Sequence, residues 1–190
     1  MFFDKIYCIN LDSRPDRWEE SESEFNRIGW EVERFPGSTR SFNHAQYECI
    51  KACKRYESSL ILEDDCEFKD MGHLPDALSC LPDGWDIVFL GATLNNKHKE
   101  KISEHLYRYK DGWATQAVGY SEKMIDWLIE HFDPMNGTIY DEWLRINVLP
   151  YFKCYIVKPM IVYQRPSFSN IRNLFVDYTK GFEDSEKLFI

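Results

Sequence analysis

Short apolar runs separated by amphipathic stretches leave this chain few ways to fold. KIYCIN at 5–10, SLIL at 59–62 and WDIVFLG at 85–91 are apolar segments of strand length, and such runs are best buried in a sheet covered on both faces. Helix signals lie between them. Ser13, Arg14, Pro15 and Asp16 form a helix start directly after the first run. A short strand at 31–35 leads to the turn Pro36-Gly37, after which Asn43 and Gln46 read as a capping pair with Phe42 and Tyr47 as its staple. Ala45, Cys49, Ala52, Cys53 and Tyr56 then recur at three- and four-residue steps, predicting a helix to about Tyr56. The same reasoning predicts helices over 74–81, from Met124 to Phe132 before Pro134, and over 139–148, and strands at WATQAVGY (113–120) and YIVKP (155–159). Gly91 marks a point where the backbone must turn or be approached closely. The polar stretch from Asn95 to Glu104 reads as a mobile loop. Strands alternating with crossover helices predict one α/β domain with a mostly parallel sheet and helices on both faces, its ligands bound beyond the carboxyl ends of the strands.

A chain of 190 residues can bury a core without disulfides or a structural metal, so a metal site would serve chemistry. Its 23 basic against 32 acidic residues give a net charge of -9, the wrong sign for holding nucleic acid through phosphate neutralisation. No apolar run approaches the roughly 20 residues needed to span a bilayer, and the N-terminus lacks the basic and apolar regions of a secretion signal. A cytoplasmic protein is expected, with its six scattered cysteines reduced. Cys49, Cys53 and nearby His44 lack the fourth ligand that tetrahedral zinc requires.

Several chemistries are disfavoured by what the sequence omits. The nine glycines form neither G-x-G-x-x-G nor G-x-x-x-x-G-K-[ST], there is no H-E-x-x-H, and Gly119-Tyr120-Ser121 lacks the closing glycine of a nucleophile elbow. What remains is Glu63-Asp64-Asp65 at the mouth of a buried strand. Strand alternation predicts that Glu63 and Asp65 converge while Asp64 points elsewhere. Two converging carboxylates suit Mg²⁺ or Mn²⁺, whose open positions a substrate's phosphates can complete. The alternative is a plain acidic turn after a strand.

IYCINLDSRPDRW at 6–18, the EDD closing SLILEDD, WDIVFLG, GWATQAVGYS at 112–121, YDEWL at 140–144 and the PMIVYQRPSFSNI tail resemble, in order, the blocks of glycosyltransferase family 25. That family includes lipopolysaccharide-type sugar transferases and collagen hydroxylysine galactosyltransferases. The resemblance spans about 5–172, with 173–190 as a C-terminal tail. It implies a GT-A fold, a nucleotide-sugar donor of the UDP type, a Mn²⁺ or Mg²⁺ ion on the acidic motif, and inverting transfer to a glycan, lipid-linked or protein hydroxyl. Carried over by residue, it implies metal ligands at Glu63 and Asp65. Donor contacts would fall at Asn10, Leu11, Arg14, Arg17, His44, Asp64, Gln164 and Ser169. This chain has Asn43-His44 where the family often has Ser-His, and no histidine follows His131, which leaves Asp141 and Gln164 as candidates for a further metal ligand.

Inverting transfer also needs a base on the acceptor side. Asp141 and Glu142 open a helix whose apolar side is Tyr140, Trp143, Leu144 and Val148. Asp141 aligns better with the family's aspartate, although Thr138 and Asp141 also read as a capping box. Two other functions compete: a non-catalytic nucleotide-sugar or glycan-binding module, and a metal-dependent phosphohydrolase or nucleotidyltransferase using the same acids.

Overall fold

The computed structural model describes residues 2–96, 100–169 and 173–189. Its elements, in chain order, begin with β1 (Lys5–Asn10), α1 (Pro15–Ile28), β2 (Glu33–Pro36), α2 (Phe42–Ala52), β3 (Ser58–Glu63), β4 (Cys66–Phe68) and α3 (Leu74–Ser79). The middle of the chain contains β5 (Ile87–Phe89), β6 (Thr93–Leu94), β7 (Lys101–Ser103), β8 (Leu106–Arg108), β9 (Gly112–Trp113), β10 (Ala117–Ser121) and α4 (Glu122–His131). The last third comprises α5 (Tyr140–Asn147), β11 (Cys154–Val157), β12 (Val162–Gln164), β13 (Ser167–Ser169), β14 (Leu174–Val176) and α6 (Thr179–Glu186).

Eight strands join one sheet in the order β2-β1-β3-β10-β5-β11-β8-β7. The pairings β1–β2, β1–β3 and β5–β11 are parallel, whereas β10 runs against both neighbours and β8 against β11 and β7. Six of the eight strands therefore point one way. Alternation along the strands divides the interior. Tyr7, Ile61, Ile87 and Phe89 face the layer that includes α2, α4 and α5, while Ile6, Cys8, Leu60, Leu62, Val88 and Leu90 face α1 and α3. Helices cover both faces, as the unbroken apolar runs require.

Local differences from the sequence reading have clear causes. WATQAVGY is not one strand: Ala114 adopts φ +78°, which breaks the extended chain between β9 and β10. An alanine in the left-handed region costs roughly 1–2 kcal/mol, so surrounding contacts must hold it there. Ser41, not Asn43, caps α2, its hydroxyl accepting the His44 N–H at 3.2 Å. Asn43 is used across the fold instead: it donates to the Thr138 carbonyl at 2.8 Å and accepts the Tyr140 N–H at 3.0 Å. The expected Thr138–Asp141 box is absent because another helix supplies that cap. The stretch read as a mobile loop contains β7, which forms a hairpin with β8; residues 97–99 of that stretch lie outside the described set. Unexpected elements close the chain, with Phe182 of α6 buried against Tyr163 and Phe189 against Tyr107. All six cysteines are free thiols, only Cys80 exposed.

Gly91 sits where the chain at Val162 crosses the end of β5. A Cβ there would lie 1.8 Å from the Val162 carbonyl oxygen. That oxygen is backbone and cannot swing aside, so Gly91→Ala should destabilise the fold by about 3 kcal/mol or more. Thermal denaturation should show Tm lowered by roughly 5–10 °C; an unchanged Tm would refute the close approach.

Candidate active site

Three parallel strands end side by side and build one wall of a cleft. Pro36 of β2 lies opposite Asn10 of β1, and Ile9 lies opposite Glu63 of β3. Chain leaving these ends forms the floor: Leu11 and Ser13 after β1, residues 37–41 after β2, and Asp64-Asp65 after β3. The far rim comes from Pro134, Met135, Gly137 and Ile139 before α5, and the near rim from Gln164, Ser167 and Ser169. The cleft encloses about 880 Å³, within the usual range for a small-molecule site.

Its centre is a buried cluster of charges. β3 stops at Glu63, so strand alternation no longer governs the next two residues, and both aspartates turn to one guanidinium. Arg17 Nη1 lies 3.0 Å from Asp64 Oδ1, and Nη2 lies 2.6 Å from Asp65 Oδ2. The expectation that Asp64 points away is therefore wrong. Asn10 Nδ2 donates to Asp64 at 2.7 Å, and Gln164 Nε2 donates to Asp65 Oδ2 at 2.8 Å. Gln164 reaches it because β12 pairs with β4 and sets Gln164 opposite Cys66. Arg165, unremarked in the sequence, donates its N–H to the Asp65 carbonyl at 2.6 Å and its guanidinium to the Asp64 carbonyl at 3.1 Å.

Asp65 Oδ1 is the exception: it is buried and has no hydrogen-bond partner. A buried, unpaired carboxylate oxygen is costly unless a cation or donor meets it. Glu63 has the same need. Burial first, and then the charge of Asp65, push its carboxyl up to about 8, with Asp141 and Asp64 adding to the shift and the Thr115 hydroxyl, 2.9 Å away, opposing it. Among the described residues no three His, Cys, Asp or Glu side chains converge as a complete metal cage. The acids present fit an ion with an incomplete protein shell, because one carboxylate oxygen is orphaned and one carboxyl is strained by like charge.

The other anticipated residues divide. Leu11, His44 and Ser169 line the cleft, and His44 Nδ1 lies 2.9 Å from the Ser41 hydroxyl. Asn10 is sealed beneath the floor, bridging Asp64, the Arg14 carbonyl and Arg34 Nε. Arg14 does not line the cleft; its guanidinium pairs with Asp16 at 2.8 Å. Asp141 is half-buried and does not line the cleft, although its charge reaches Glu63. Desolvation raises its carboxyl above the ordinary range, while the backbone amides of Glu142 and Ala114 oppose the rise. Glu142 differs: Arg145 and the Trp113 indole hold its carboxylate down at about 2. Both Glu142 oxygens are thus engaged by donors, Oε2 by the Trp113 indole and Arg145 Nε and Oε1 by Arg145 Nη2. Thr115 and the hydroxyl-bearing residues Ser38, Thr39 and Ser41 were missed. The only sequence signal for Ser41 was a hydroxyl three residues before His44, and none marked Thr115 as a neighbour of Glu63.

No protein-family model matches the chain, and no curated protein matches it in sequence. Solved structures do match its fold. A197 from STIV aligns with TM-score 0.54 at 8% identity, over 91% of this chain and 93% of its own. The 4-diphosphocytidyl-2C-methyl-D-erythritol synthase from Anaerococcus prevotii aligns with TM-score 0.51 at 12% identity, over 97% and 78%. A glycosyltransferase involved in glycosylation of the major capsid of PBCV-1 gives 0.49 at 10% identity, over 95% and 89%. These likenesses, at 8–12% identity, show the fold alone: a mixed α/β domain with a large, mostly parallel central sheet. Among the described residues no helix is long and apolar enough to cross a membrane.

Glu63 ties stability to pH in a definite direction. The folded chain keeps its proton up to about pH 8, whereas an unfolded chain releases it near the ordinary value of 4.5. Its contribution to stability is therefore full below 4.5 and is lost as pH rises toward 8. Without divalent ions, Glu63→Gln should be more stable than wild type at pH 8, by on the order of 1 kcal/mol or more, and no more stable at low pH. Equal Tm differences at both ends of the range would refute this.

Proposed function

We propose that the protein is a metal-dependent inverting glycosyltransferase that moves a sugar from a nucleoside-diphosphate donor, of the UDP type, to a hydroxyl acceptor. The observation that carries the reading is the orphaned Asp65 carboxylate oxygen beside Glu63, at the floor of a cleft where parallel strands end. The resemblance to glycosyltransferase family 25 agrees with it, since the family's acidic block falls on these residues.

Glu63 and Asp65 would hold Mn²⁺ or Mg²⁺, which when bound offsets the charge of the departing diphosphate. Arg17 keeps Asp65 aimed by occupying its other oxygen. The loop at 37–41 brings the hydroxyl-bearing residues Ser38, Thr39 and Ser41 to the cleft, and Arg40 there adds a positive charge. Leu11, His44, Asp64, Gln164 and Ser169 complete the donor side, and Asn10 and Arg14 lie behind it. Asp141 would accept the acceptor hydroxyl's proton. Its raised carboxyl brings it closer to the operating pH, where a general base is most effective. The acceptor, a glycan, lipid-linked or protein hydroxyl, would approach between the Met135–Ile139 rim and Asp141.

The test is titration calorimetry with UDP, with and without Mn²⁺, followed by assay of UDP-sugar turnover. Asp65→Asn keeps an acceptor oxygen for Arg17 and Gln164, so the fold should persist. Mn²⁺-dependent binding should fall by about tenfold or more, as expected for losing a charged ligand. Undiminished binding would remove the metal from this site. Release of nucleoside diphosphate marks sugar transfer, and pyrophosphate formation with a nucleoside triphosphate and a sugar phosphate would mark nucleotidyl transfer. Binding without turnover would mark a recognition module.

A further inference from the structure

We propose that Arg40 is the phosphate-binding residue of the cleft: its guanidinium takes the outer phosphate of the departing nucleoside diphosphate and meets the charge that appears there as the sugar leaves. The inference rests on the cleft taking a nucleoside-diphosphate donor.

Arg40 stands apart from the other arginines. Six of the described arginines, Arg17 and Arg145 among them, pair with carboxylates. Arg108 donates to the Phe152 and Cys154 carbonyls, and Arg55 lies over the Tyr56 ring at 5.1 Å. The Arg40 guanidinium is exposed, lines the cleft, and has no ion pair, hydrogen bond or ring contact among the described residues. A chain with 32 acidic and 23 basic side chains has carboxylates to spare, so a cation left without one is unusual.

Local structure places it there. Pro36 ends β2 opposite Asn10, Gly37 donates its N–H to the Asn10 carbonyl at 2.9 Å, and the Ser38 hydroxyl accepts the Arg40 N–H at 3.1 Å. Two residues later α2 begins. Its first turn carries no acid, and Phe42, His44 and Ala45 line the same cleft, so no carboxylate of α2 competes there for the guanidinium.

The charges of the cleft decide what Arg40 can do. Glu63, Asp64 and Asp65 against Arg17 leave two negative charges, which one divalent ion cancels. A diphosphate beside that ion brings two more. Transfer adds a third: the bond from the anomeric carbon to the outer phosphate oxygen breaks, and its electron pair stays on that oxygen. The anomeric carbon bonds to the acceptor oxygen, whose proton passes to the base. Among the described residues lining the cleft, Arg40 is the one arginine or lysine not already paired. A guanidinium suits the task, because its planar fork binds two phosphate oxygens at once and stays charged at any working pH. Since the charge grows as the bond breaks, the contact strengthens in the transition state.

Titration calorimetry with UDP and UMP in Mn²⁺ tests the contact on wild type, Arg40→Ala and Arg40→Lys. The side chain is exposed, so Tm should not change in either variant. Arg40→Ala should weaken UDP binding by about tenfold or more, but UMP binding by less than about threefold, because UMP lacks the outer phosphate. Arg40→Lys should recover part of the loss, a point charge standing in for the fork. Equal losses for UDP and UMP, or undiminished UDP binding, overturn the proposal. Inorganic pyrophosphate with Mg²⁺ repeats the comparison without a base and carries the test if the nucleotide is not a uridine one. A wild type that binds neither UDP nor pyrophosphate overturns it.

The same titrations in EDTA separate this contact from the metal site. A loss in Arg40→Ala that persists in EDTA supports the phosphate contact even where Asp65→Asn leaves Mn²⁺-dependent binding unchanged and the metal reading fails. In turnover of UDP-galactose or UDP-glucose, Arg40→Ala should lower kcat by about tenfold or more with a smaller change in donor KM. A raised KM at unchanged kcat would show donor and transition state held equally, and overturns the charge-meeting role. If neither sugar nucleotide is turned over, the binding data decide alone.

Discussion

The site depends on one buried ion cluster. Arg17, on the first turns of α1, is gripped by Asp64 and Asp65 just past the end of β3, and all three side chains are about nine-tenths shielded from water. A pair withdrawn from solvent this far contributes little net stability when intact, but losing one partner leaves a buried charge worth roughly 3–5 kcal/mol. The cluster therefore acts chiefly as a locator. It docks the start of α1 on the sheet, turns two aspartates toward a single point, and commits one oxygen of Asp65 while leaving the other unpaired.

Charge balance around that point is incomplete. One guanidinium faces Asp64 and Asp65, and Glu63 stands next to them with a carboxyl forced upward by burial and by Asp65. A chain selected for stability alone would neutralise this position. Keeping it acidic makes sense for a site completed by a cation and a polyphosphate, and it follows the general pattern in which functional sites carry local instability. Ala114 shows the same feature in the backbone. Its left-handed conformation is flanked by two hydrogen bonds to acids, from the Trp113 indole to Glu142 and from the Thr115 hydroxyl to Glu63.

Much of the fold was legible because burial leaves a periodic trace. KIYCIN, SLIL and WDIVFLG supply the central strands, and side chains alternate between two cores along each of them. The close approach at Gly91 also showed, since only glycine tolerates a carbonyl so near. Pairing partners left no such trace. β10 is an apolar strand like the others, and nothing local records that it enters the sheet antiparallel between β3 and β5. The cap of α5 was misread for a similar reason: Asn43 supplies it from a helix nearly a hundred residues earlier in the chain.

The acids of the site could be found in the sequence because a run of carboxylates after an apolar strand is chemically conspicuous, as is the Asp141-Glu142 pair opening a helix. Their states could not. Whether Asp64 faces the cleft, whether Glu142 is free to take a proton, and whether Arg14 meets a ligand all depend on which opposite charge lies within about 3 Å, and Coulombic and hydrogen-bond energies fall off too steeply for spacing along the chain to stand in for distance. The sequence by itself determined the α/β alternation, the strand end that carries the acids, and the candidate residues. Tertiary structure decided which of them Arg17, Gln164, Thr115 and the Trp113 indole would pair, because those partners come from segments that only folding brings together.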